Sequence, residues 1–133
     1  MRLIIGGTCQ GKTTYLTDQL GVSESYVING ETIAESATVL SDDTAAVNHL
    51  HLYIRRSLEK GLTQEEIQTE ILSWLKKNPE LILVSDEIGY GIVPMDAFER
   101  EYREVAGRIC CVLAQKAETV IRVCCGLGSV IKG

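Results

Sequence analysis

Gly6-Gly7-Thr8-Cys9-Gln10-Gly11-Lys12-Thr13 fits the pattern G-x-x-x-x-G-K-[ST], follows the apolar run Leu3-Ile4-Ile5 and is continued by Thr14. A buried strand before the pattern and a helix after it are the context in which such a loop cradles phosphates. The glycines let successive backbone N–H groups converge on an anion without Cβ obstruction. A helix starting near Gly11 aims its positive end the same way. Lys12 is expected to reach the β- and γ-phosphates, and the Thr13 hydroxyl to ligate Mg²⁺. The expected ligand is therefore ATP or GTP with Mg²⁺, held by residues 6 to 14.

A second cluster of chemistry follows another apolar run, Leu81-Ile82-Leu83-Val84, which ends in Ser85-Asp86-Glu87. Ligand crevices in α/β sheets lie at the carboxyl ends of strands, so both acids fall where a phosphate site needs them. Asp86 is assigned to the metal together with Thr13, and Glu87 to orienting or deprotonating the attacking group. Lys12, Asp86 and Glu87 form the expected catalytic set. Asp42 and Asp43 close another candidate strand and compete for the metal. His49 and His51 are the only histidines. Two apart on a helix they face different sides, and His51 falls on the apolar stripe as a half-buried, satisfied residue. His49 falls off that stripe and is free for function.

The elements that must position these groups can be read from periodicity. Strands are expected at Arg2–Ile5, Tyr26–Ile28, Thr38–Leu40, Leu81–Val84 and Val120–Val123, the last as the final strand. The helix after the loop stops at Gly21. Val47, Leu50, His51, Ile54 and Leu58 recur at helical spacing, and Gly61 ends that helix. Thr63-Gln64-Glu65-Glu66 reads as a capping box opening a helix with Ile67, Ile71, Trp74 and Leu75 inward. A long helix runs from Asp96 to Ala117 with Phe98, Tyr102, Val105, Ile109, Val112 and Leu113 on its core face. Alternating strands and helices predict one three-layer α/β domain over residues 1–133, of the P-loop NTPase kind with a mainly parallel sheet.

Composition narrows the partners. The net charge of −5, without a basic tract, argues against a nucleic-acid partner. No apolar run is long enough for a membrane span, and an N-terminus that enters a strand at once leaves no room for a signal peptide, so a cytoplasmic protein is expected. Cys110-Cys111 and Cys124-Cys125 are adjacent pairs without zinc spacing, expected to be buried, reduced thiols. Cys9 fills a variable position of the loop.

Three blocks give the chain a family likeness. They are the double-glycine phosphate loop, the stretch from Leu83 to Pro94 continuing through Tyr102-Arg103-Glu104-Val105-Ala106-Gly107-Arg108, and Gly126-Leu127-Gly128 with Ile131-Lys132. In these the chain resembles the bifunctional adenosylcobinamide kinase/adenosylcobinamide-phosphate guanylyltransferase (CobU) enzymes. The resemblance implies a small nucleotide-binding α/β fold, often a homotrimer, and a corrinoid acceptor, adenosylcobinamide. The implied reactions are phosphorylation by ATP or GTP and then GMP transfer through a guanylylated histidine. Family members carry that histidine in a basic insertion after the second strand, where this chain is shorter. No residue here matches it, so the role is not carried over. The chain also has Asp86 in place of the usual asparagine, and Cys110-Cys111 in place of an Asn-Gln pair. The expected function is an NTP-dependent adenosylcobinamide kinase; the alternatives are a full bifunctional enzyme using His49 or His51, and a nucleotide-binding homologue without turnover.

Overall fold

A computed structural model describes residues 1–33, 40–89 and 95–133 of the chain. Its sheet has six strands: β1 (Arg2–Gly6), β2 (Val27–Asn29), β3 (Ala46–Asn48), β4 (Ile82–Asp86), β5 (Thr119–Cys124) and β6 (Leu127–Lys132). The spatial order is β2-β3-β4-β1-β5-β6. The first five strands run parallel and β6 returns antiparallel to β5. The helices are α1 (Lys12–Thr14), which continues as a π-helical turn over Tyr15–Gln19, then α2 (Leu50–Glu59), α3 (Gln64–Lys77) and α4 (Ala97–Lys116). This is the three-layer α/β architecture that the alternation of elements predicts.

Alternation along the central strands builds two cores. Leu3, Leu81, Leu83 and Val120 point to one face, where they meet Leu50, Ile54, Ile67, Ile71, Ile109 and Leu113 of α2, α3 and α4. Ile4, Ile82, Val84, Ile121 and Val123 point to the other and pack on Leu16 and Tyr15 after the phosphate loop. Strands buried on both faces need an unbroken apolar run, which is what residues 81–84 supply. α3 opens as its sequence foretells: the Thr63 hydroxyl accepts from the Glu66 N–H, and the Glu66 carboxylate accepts from the Thr63 N–H.

Three expectations need correction. Val47 belongs to β3, not to a helix, and α2 starts only at Leu50. Ala46, Val47 and Asn48 are all buried between β2 and β4, and three residues are too few for periodicity to separate strand from helix. The break between them is His49, which sits in the left-handed region at φ 54°.

Val120–Val123 is not the final strand. Cys125 and Gly126 both have positive φ and form a two-residue turn pairing Cys124 with Leu127, which launches β6. Every residue of β6 is exposed, so it carries no hydrophobic alternation to betray it. The cysteine pairs, third, are not buried: Cys111, Cys124 and Cys125 are exposed and Cys110 is half-buried. The pair at 124–125 lies at the surface hairpin and Cys111 on the outer side of α4. The expected strand at Thr38–Leu40 falls mostly, and the family block over residues 90–94 wholly, outside the described residues.

Candidate functional site

The phosphate-loop sequence forms the bend between β1 and α1, at the carboxyl edge of the parallel strands. Gly6 must be glycine because a Cβ there would collide with the carbonyl oxygen of Val123 on β5. Gly11 adopts φ +91°, a conformation glycine reaches without strain. The β5–β6 turn braces the loop from outside: the Cys125 N–H donates to Gln10 Oε1 at 2.9 Å and the Gly126 N–H to the Gln10 carbonyl at 2.8 Å. The remote hairpin thus sets the loop's shape.

Lys12 is buried, and its ammonium is shared between two acceptors. Nζ donates to the Gly7 carbonyl at 2.6 Å and pairs with Asp86 Oδ1, also at 2.6 Å. The strand register makes this contact, because β1 and β4 are neighbours and Gly6 lies opposite Asp86. The other oxygen of Asp86 accepts from the Thr8 hydroxyl at 2.9 Å and lies 3.4 Å from His51 Nε2. Burial alone would push the Asp86 carboxyl up; the hydrogen bond from Lys12, the facing His51 and the hydroxyl of Thr8 outweigh it and hold it below its ordinary value.

His51 lies on the inward face as the apolar stripe predicts, and is buried rather than half-buried. Its Nδ1 accepts from the Asp86 backbone N–H at 3.1 Å, which leaves the second nitrogen to carry the proton. Desolvation lowers its pKa, the Asp86 charge opposes that, and His49 and Lys12 add to the lowering; the net shift is downward. His51 is therefore a neutral support for the Asp86 turn.

Glu87 is engaged elsewhere. Its two carboxylate oxygens accept from Arg122 Nε at 2.8 Å and from the second guanidinium nitrogen at 3.1 Å, a bidentate pair that ties β4 to β5. Asp86, Glu87 and Cys110 line a cavity of about 260 Å³ between the end of β4 and α4. Burial pushes the Cys110 thiol up.

Asn48 is the residue that sequence reasoning passed over. It ends β3, is buried, and its side-chain N–H₂ donates to Thr13 Oγ1 at 3.0 Å. Its own Oδ1 accepts from the His49 N–H at 2.9 Å. Once β3 is recognised, a polar residue at its carboxyl end is the signal that finds it. Asp42 and Asp43, by contrast, precede β3 and are exposed, at the opposite end of the parallel strands from Thr13. The topology removes them from the competition for a metal.

Two cavities adjoin along this edge. One, of about 400 Å³, runs over Thr8 to Thr14 and is closed by Asn48, His49 and Asp86. The other, of about 340 Å³, lies between the π-helical turn and the ends of β2 and β3, and shares Thr13, Asn48 and His49 with the first. Among the described residues no cluster of three or more His, Cys, Asp or Glu could cage a metal ion. Thr13 and Asp86, the two residues expected to hold a metal, both line the larger cavity, Thr13 fixed by Asn48 and Asp86 by Lys12.

The loop at the end of β1, the acid at the end of its neighbour β4 and the mainly parallel sheet define a P-loop-like α/β protein. The model of the family described as "Cobinamide kinase / cobinamide phosphate guanyltransferase" (CobU) matches residues 17–131, and the chain belongs to that family. It is similar to the "Bifunctional adenosylcobalamin biosynthesis protein CobU" of Salmonella typhimurium, at 29% identity over 119 residues, covering 90% of this chain and 64% of that protein. The protein of the same description from Escherichia coli is 39% identical over 77 residues, covering 58% of this chain and 42% of that one. The chain thus spans less than two thirds of the length of the curated relatives it matches. No helix among the described residues is long and apolar enough to cross a membrane.

Proposed function

We propose that the chain is a nucleoside-triphosphate-dependent kinase that transfers the γ-phosphoryl group to a hydroxyl of a corrinoid, adenosylcobinamide. The observation that carries the reading is Lys12, buried and poised on Asp86 at the mouth of a phosphate-sized loop, in a chain of this family. With a triphosphate in the loop, the Lys12 ammonium exchanges its contact with the Gly7 carbonyl for phosphate oxygens while Asp86 keeps it aimed. Thr8 and His51 hold Asp86 itself. Asn48 holds the Thr13 hydroxyl so that its free lone pair faces the phosphates. Mg²⁺, when bound beside Thr13, supplies neutralisation of phosphate charge. Catalysis here is positioning plus electrostatics. Glu87 acts through Arg122, shaping the cavity wall beside Asp86, and does not contact the reacting atoms.

The test is incubation with Mg²⁺, ATP or GTP, and adenosylcobinamide, followed by separation of the corrinoids. A phosphorylated corrinoid is expected. Its absence, while the Salmonella typhimurium protein works in parallel, overturns the reading; nucleotide binding without product would favour a homologue that does not turn over.

A second reading, guanylyl transfer through a histidine, is favoured at one position by one observation. His49 lines the phosphate cavity, whereas His51 is buried behind Asp86. It requires label from α-labelled GTP to stay on the chain and to vanish in His49→Asn. We also propose self-association: Leu127, Val130 and Ile131 expose apolar surface on β6, an edge strand. The trimer of the family resemblance is the expected form, and sedimentation gives the answer.

A further inference from the structure

We infer that the cavity of about 340 Å³ between the π-helical turn and β2–β3 receives the hydroxyl-bearing arm of the acceptor, and that His49 orients that hydroxyl towards the phosphate loop. The inference rests on the kinase reading above. Most of the polar groups around the phosphate loop are already engaged. Asp86 is committed to Lys12 and Thr8, Glu87 to Arg122, and His51 receives the Asp86 N–H. His49 differs. Its imidazole makes an edge contact with His51, ring centroids 5.8 Å apart, and among the described residues it makes no hydrogen bond. It lines both cavities.

Its backbone is held from all sides. The His49 carbonyl accepts from the Leu52 N–H at 3.0 Å, and its N–H donates to Asn48 Oδ1. The Gly30 N–H donates to the Asn48 carbonyl at 2.7 Å, and a Cβ on Gly30 would strike the His49 carbonyl. A side chain projecting from so fixed a backbone is what an orienting group needs. The left-handed conformation is the device that swings the ring from the strand line into the space between the cavities.

The cavity's chemistry defines the arm it takes. Glu24, Asn29 and Thr17 offer acceptors and donors, while Leu16 and Val27 give it an apolar floor. That suits a short, flexible, hydrogen-bonding chain ending in an alcohol. At about 340 Å³ it has no room for a macrocycle, which must stay outside the opening. In the step itself, the alcohol oxygen forms a bond to the γ-phosphorus as the bond from that phosphorus to the β,γ-bridging oxygen breaks. The nucleoside diphosphate leaves with the electron pair, and the alcohol proton passes along its hydrogen bond to the His49 ring nitrogen.

The experiment compares His49→Asn, His49→Gln and Thr17→Trp with the unchanged protein, measuring nucleotide affinity and the acceptor's KM and kcat separately. Asparagine tolerates the left-handed backbone but is too short to reach the alcohol. His49→Asn is expected to lower kcat about 10²-fold with nucleotide affinity within about twofold, and His49→Gln to recover part of the loss. Thr17→Trp, which fills the cavity, is expected to raise the acceptor's KM at least about tenfold while the nucleotide affinity stays. Unchanged kcat and KM in His49→Asn and Thr17→Trp would overturn the inference alone, as would parallel loss of nucleotide binding in both. No transfer by the unchanged protein would overturn the kinase reading and this inference together.

Discussion

β3 and β4 run side by side and end at the same edge of the sheet, yet they arrive there with opposite chemistry. β4 ends in two carboxylates, and both are neutralised within the protein, Asp86 by Lys12 and Glu87 by Arg122. β3 ends in an amide and an imidazole without charge partners, next to open space. Charges near a low-dielectric sheet edge must be paired to stay there, so the end of β4 satisfies its own charges. The end of β3 ties its own backbone through Asn48, and the His49 side chain borders both cavities. The acids, conspicuous in sequence, are spent on ion pairs within the protein, while the less conspicuous Asn48-His49 lines the cavities, which is where the proposed acceptor site falls.

The contrast can be broken most severely at its charged end. Lys12→Met removes the ammonium and leaves Asp86 with only Thr8 and His51; phosphoryl transfer should fall by about 10²–10³-fold, checked by steady-state kinetics. Asn48→Ala removes one hydrogen bond to Thr13, and nucleotide affinity with Mg²⁺ should fall about five- to tenfold, read by titration calorimetry. A loss as large as that of Lys12→Met would mean the two strand ends are equal partners, against the contrast drawn.

A third test uses pH on the ligand-free protein. His51 has a folded pKa below 6.5, so below that pH the unfolded chain binds a proton that the folded chain resists. Stability should therefore decline as pH falls from about 6.5 towards the folded value. The Asp86 contribution is present above about 3.8, the ordinary value, and is lost only as pH drops from there through its lower folded value. Denaturant melts at a series of pH values should show the upper slope flattened in His51→Gln and the lower one reduced but still present, since Lys12 and Thr8 continue to hold Asp86. The smallest effect is expected from Glu87→Gln, whose partner Arg122 is half exposed: about 1 kcal/mol of stability or less, and activity within a few-fold. A drop beyond a hundredfold would return Glu87 to the role of base.

How much of this was legible follows from the range of each interaction. β1, β4 and the capping box of α3 are written locally, in an apolar run or four consecutive residues. β3 was lost because three buried residues look alike in strand and helix. The inward face of His51 came from periodicity alone, but its partner, the Asp86 N–H, lies 35 residues away. The cysteine pairs were misread because a thiol's burial depends on which face of the element meets the core: Cys111 lies on the outer side of α4, and Cys124 and Cys125 lie at the surface hairpin.

The sequence by itself determined the phosphate-loop motif, the layer architecture and the family, since each rests on neighbouring residues or a short period. Only the tertiary structure decided which acid is paired with which cation, that Asn48 touches Thr13, that Asp42 and Asp43 lie at the wrong end of the sheet, and that His49 rather than His51 faces the cavities. Those outcomes depend on strand order and register, which are settled by packing across the whole sheet and are written in no single stretch of chain.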